Sequence, residues 1–170
     1  MKKTNFRKAS FSFFLIPALV LFSCSKDNDS QTDKTAEMIK EVRETTNTYK
    51  SHAAALDAGW DTDLSGCVAH PTEGGMGHHF GRLEFLDGRI NHLEPQVLLY
   101  GADDNGNMEF YGVEYIVPFA IHPADAEPPV LFGHEFHPNH EQQIWALHVW
   151  TEKENPKGMF NDWNPHVKCE

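Results

Sequence analysis

The sequence predicts an α+β domain in which one N-terminal amphipathic helix packs on a strongly curved antiparallel β-sheet or partly closed barrel. Apolar residues recur at helical period only from Met38 to Leu56. Beyond Gly59, short apolar runs alternate with Gly, Pro and Asp-Gly or Asn-Gly pairs, the pattern of strands and turns. Those runs carry apolar residues on both parities, as in Phe110, Val113, Ile116 and Val117, so both sheet faces need cover. A helix supplies one cover, and a closed barrel interior or a second protomer supplies the other.

The chain opens with basic Lys2, Lys3, Arg7 and Lys8 and an apolar run from Phe11 to Phe22, twelve residues that include Pro17. Such a run is too short to span hydrocarbon and reads as an export signal. Its end, Leu21-Phe22-Ser23-Cys24, resembles the lipobox at which bacterial lipoproteins are cut and their new N-terminal Cys acylated. The expected organisation is therefore a signal peptide over 1–23, a flexible tether over 24–34 and one globular domain over 35–170. Cys24 would anchor it to a membrane through acyl chains such as palmitate, at about 0.8 kcal/mol per buried methylene. The location this implies is the bacterial cell envelope, periplasmic or surface-exposed.

Residues 25–34, SKDNDSQTDK, contain no apolar residue and so cannot bury enough surface to fold. From Thr35, Met38, Ile39, Val42, Tyr49, Ala53 and Leu56 line one helical stripe, with Lys40, Glu41, Arg43 and Glu44 around it. Thr35 caps the start of this helix of about six turns and Gly59 ends it. Strands are expected at His78 to Phe85, Val97 to Gly101, Met108 to Pro118 and Gln143 to Glu152. Asp103-Asp104-Asn105-Gly106 makes the middle two a hairpin. The stretches Ala120 to Pro129 and Pro138 to His140 read as loops, Asn155 to Gly158 as a turn, and Met159 to Cys169 as irregular.

Loss of the signal removes four of the 14 basic residues and no acid, taking the net charge from −11 to −15. That sign opposes phosphate backbones, which argues against nucleic-acid binding, and it attracts cations. Apart from Cys24 only Cys67 and Cys169 remain, an even pair that an oxidising compartment bridges; the competing reading makes them metal thiolates.

No phosphate-binding loop, nucleophile elbow, zincin helix or calcium loop occurs. Histidine is the conspicuous residue, eleven in all, every one after the signal. His78 and His79 follow three glycines and must emerge on opposite faces of a strand. His148 interrupts the apolar run Trp145 to Trp150, and Glu114 interrupts Gly112 to Val117. A carboxylate buried alone carries a large desolvation cost, so Glu114 needs a cation, an imidazolium, a proton or a hydrogen-bond network. Placing His79, Glu114 and His148 on neighbouring strands around one cavity answers that need, and two imidazoles with a carboxylate suit zinc, iron or copper. The alternative is a satisfied polar network without a metal. His134, His137 and His140, spaced by three, form a secondary candidate metal set.

The phrases Gly74-Gly-Met-Gly-His-His79-Phe, Gly112-Val-Glu-Tyr-Ile-Val-Pro118, Leu147-His-Val-Trp150, Asn155-Pro-Lys-Gly-Met-Phe160 and Asn164-Pro-His-Val-Lys-Cys169 resemble those of a family of uncharacterised exported bacterial proteins. The resemblance spans roughly Tyr49 to Cys169 and implies an exported domain with His79, Glu114 and His148 at the family's positions. It implies no reaction. Three functional classes stay open at this level: a module binding a metal or small-molecule ligand, a metal-dependent hydrolase or oxidoreductase using the same residues, and an envelope interaction protein that forms a homodimer.

Overall fold

A computed structural model describes residues 26–103 and 105–169. The expected signal peptide and Cys24 lie outside the described residues. Over the described residues the fold is α+β: helix α1 (Lys26–Thr46), a 3-10 turn (Asn47–Lys50) and the short helix α2 (His52–Asp57) precede eight strands. These are β1 (Thr62–His70), β2 (Gly74–Gly81), β3 (Val97–Ala102), β4 (Met108–Pro118), β5 (Val130–Leu131), β6 (His134–Glu135), β7 (His137–Asn139) and β8 (Ile144–Val149).

The helical part differs from expectation in three ways. α1 begins at Lys26, so residues assigned to a tether are helical, and Thr35 lies inside the helix rather than at its cap. The Thr35 hydroxyl instead donates to the Phe132 carbonyl at 3.0 Å. The single helix is also broken, because Ser51 adopts an extended conformation (φ −82°, ψ 111°) and its side chain accepts from Ala54 N–H, starting α2 afresh. Gly59 does end the second helix as expected, at a φ of +99° that a side chain would resist.

Six strands form one antiparallel sheet in the order β1-β2-β3-β4-β8-β7, curled into a half-barrel. β5 and β6 pair separately. The β3–β4 hairpin and the strand over Met108–Pro118 match expectation. The first expected strand is displaced, starting at Gly74 and ending at Gly81, with Leu83–Phe85 in a 3-10 turn. β1 was not anticipated, and Pro138-Asn139, expected as loop, belongs to the edge strand β7.

Irregular pairing bends the sheet: the register shifts twice between β1 and β2, and once between β3 and β4, where Leu99 faces Gly112 and Tyr100 faces Phe110. The β3–β4 shift explains the mixed parity of β4. Phe110 joins Val113, Tyr115 and Val117 on one face, while Tyr111 joins Glu114 and Ile116 on the other.

The first face packs with Ile39 and Val42 of α1 around Leu98, Tyr100 and Leu147. The second, concave face gathers Val97, Leu99, Tyr111, Ile116, Ala146 and Trp150 and is roofed by the chain's own C-terminal segment through Val167. That roof lies so close that a Cβ on Gly74 would sit 2.1 Å from the Asn164 carbonyl oxygen, which is why the strand opens on glycines. Reciprocal backbone bonds of 3.0 Å join Gly75 and Asn164, and a disulfide joins Cys67 to Cys169.

Candidate metal centre

The site is built by register and curl. Glu114 and His148 are direct cross-strand partners on β4 and β8, whereas His79 comes from β2, two strands from β4. In a flat sheet, β2 and β8 stand three strand spacings apart, about 14 Å. Here the Nε2 atoms of His79 and His148 approach to 3.2 Å, so the concave curl of the sheet closes the set. Glu114 Oε2 lies 3.8 Å from His79 Nε2, and Oε1 lies 3.6 Å from His148 Nδ1. The three side chains belong to residues only 7%, 5% and 2% exposed for His79, Glu114 and His148. One ligand atom from each falls within 4.8 Å of the others, a unique such group of three or more among the described residues.

Each imidazole is held from behind. Ser65 Oγ stands 2.9 Å from His79 Nδ1, and its own proton goes to the Gly66 carbonyl at 3.1 Å. The Nδ1–H tautomer of His79 therefore donates to Ser65 and leaves the Nε2 lone pair facing inward. His148 Nδ1 points to Asp162 Oδ1 at 3.4 Å, an ion-pair distance without hydrogen-bond alignment. A carboxylate or hydroxyl behind each ring nitrogen is the arrangement that orients metal-binding histidines.

Burial and mutual charge shift all three groups. Burial, reinforced by the neighbouring His148, lowers the pKa of His79 to about 3, so this ring stays neutral. Burial also raises Glu114 above its usual range, against the opposing pull of His148. His148 moves the other way: burial works against its charged form, but Glu114 and Asp162 together outweigh it and raise the pKa. A cation among the three would remove the cost of burying the carboxylate and would use the lone pair that His79 keeps.

The secondary set does not assemble. His134 stacks on Phe160 with ring centroids 3.9 Å apart, and His140 lies against Phe119 at 5.6 Å. Only His137 turns toward the centre, with Nδ1 3.2 Å from Asp162 Oδ2. The cysteines form a disulfide rather than a thiolate site. Sequence reasoning missed Ser65 and Asp162. Ser65 sits in an unrecognised strand, and Asp162 sits in the irregular tail, where no spacing links it to β8.

No protein-family model, no curated protein and no solved structure matches this chain.

Proposed function

We propose that this protein is a lipid-anchored envelope domain that binds a transition metal, zinc, copper or iron, through His79, Glu114 and His148. The observation that supports the reading is the convergence of two imidazole nitrogens and a carboxylate within 4.8 Å, all three residues buried. The 3.2 Å between the two Nε2 atoms is close to the edge of a tetrahedron with metal–nitrogen bonds of 2.0–2.1 Å, about 3.3 Å.

Holding the ion fits better than turnover. Among the described residues, two clefts lie apart from the three ligands, one of about 490 Å³ between α1 and Phe132-Gly133-His134, another of about 690 Å³ beside the disulfide. Neither is lined by His79, Glu114 or His148, so neither presents a substrate to them. The anchor is supported by Leu21-Phe22-Ser23-Cys24, and no helix among the described residues is long and apolar enough to cross a membrane.

Elemental analysis of protein purified without chelator tests the centre. One equivalent of metal, lost in His79→Ala and His148→Ala, is the expected result. Protein that arrives metal-free and gains no stability from added zinc, copper or iron overturns it. The anchor is tested separately, since Cys24→Ser should move the protein from the membrane fraction to the soluble one.

A further inference from the structure

A metal enclosed this fully needs a way in. The walls beside the three ligands are Val97, Leu99, Ile116, Ala146 and Trp150, with Val167 in the roof, and a hydrated divalent ion cannot cross such a lining without exchanging its waters for other ligands. A row of ligating groups nevertheless runs from solvent to the centre. His137 has a side chain 57% exposed, and its Nδ1 lies 3.2 Å from Asp162 Oδ2. Asp162, 29% exposed, then presents Oδ1 to His148 Nδ1 at 3.4 Å. His148 in turn meets His79 at 3.2 Å.

Two features mark this row as more than a surface ion pair. His137 pairs with Ala146 across β7 and β8, which places it on the concave face one pleat from His148. Among the described residues, the charge partners of Asp162 are His137 and His148, so every group in the row can bind a metal. At the other end, the Nδ1 of His79 meets the hydroxyl of Ser65, and the carboxylate on that side, Asp63, lies 3.1 Å from His78 and accepts from the Ser65 and Gly66 N–H groups. Asp63 thus has Oδ1 committed to backbone N–H groups, whereas the oxygens of Asp162 face His137 and His148.

We infer that His137 and Asp162 form an outer metal-binding position through which a divalent transition ion is loaded into, and released from, the His79–Glu114–His148 centre. The inference rests on the metal-binding reading. An outer station lowers the barrier in both directions and leaves the end states alone. Removing it must therefore slow uptake and release by one common factor while the dissociation constant stays fixed. Asp162 also orients His148, so Asp162→Asn affects affinity as well, and His137 is the cleaner probe.

The test is stopped-flow uptake of Zn²⁺ or Co²⁺ by metal-free protein with its disulfide intact, and release to a chromophoric chelator. His137→Ala should slow both by about tenfold, the lower end of what a charge-lined entrance contributes to on-rates. His134→Ala, an exposed histidine off the route, should leave both at the wild-type values. His137→Ala rates equal to wild type overturn the entry route alone. Weaker affinity with an unchanged uptake rate also overturns it, by making His137 a ligand of the final site. Wild-type protein that takes up no ion overturns the centre and the route together.

Discussion

The two faces of the curled sheet solve different problems with the same strands. The face toward α1 is apolar: Val113, Tyr115 and Val117 of β4 lie opposite Val149, Leu147 and Trp145 of β8, each a simple packing pair. The concave face, one residue out of phase, pairs Ile116 with Ala146 but then sets Glu114 against His148. Hydrophobic burial drives closure of the first face without outside help. On the second face burial works against the charged groups, and the shape is imposed by the tail, the disulfide and, in our reading, a metal. Stability is therefore expected to depend on side-chain volume on one face and on charge and covalent closure on the other.

Opening the disulfide should produce the largest effect. Cys67 and Cys169 are 102 residues apart in the chain, and in the chain-entropy model a loop of that size is worth about 4.7 kcal/mol. Cys67→Ser/Cys169→Ser should lose roughly that in denaturant titration and should lose metal as well, because the roof carrying Asp162 frays. A double variant that keeps wild-type metal affinity would show that the roof is dispensable to the centre.

On the helix side, Leu147→Ala removes a residue only 1% exposed and should cost about 2–5 kcal/mol. The loss should be equal with and without chelator. A loss that depends on metal would show that the two faces are coupled. Chelation itself should destabilise wild-type protein by about 2.7 kcal/mol relative to metal present at a hundred times its dissociation constant. It should not move the melting temperature of His148→Ala.

The smallest expected effect has the opposite sign. In chelated protein, Glu114→Gln keeps the shape and removes a group whose ionisation the fold on balance opposes, and should stabilise by about 1 kcal/mol while weakening metal binding. The pH dependence supplies a check. Because the Glu114 pKa is raised on folding, its contribution to metal-free stability is present below the ordinary carboxylate value of 4.5 and is lost as pH rises through the folded value. His79 acts in reverse: with a folded pKa near 3, its contribution is full above 6.5 and is lost as pH falls from there toward 3. Glu114→Gln should abolish the first slope and keep the second.

How much was legible in the chain follows from the range of the interactions involved. The β3–β4 hairpin, the helix stop at Gly59 and the opposite fates of His78 and His79 follow from near neighbours and from strand alternation. The break at Ser51 was also visible in principle, as an N-cap residue after the Thr-rich stretch Thr45 to Thr48, but the apolar stripe runs through it and masks the interruption. The β3–β4 register shift was not legible, since an extra residue on one strand is defined only against its partner.

The primary structure by itself determined an α+β chain with a pairable Cys67 and Cys169, and three polar residues that apolar strands could bury only in company. What brings His79 across three strand spacings to His148, and Asp162 in from the tail, is the curl of the sheet and the stapled roof. Those depend on contacts between segments far apart in sequence, whose closure is set by packing in three dimensions rather than by any local spacing of residues.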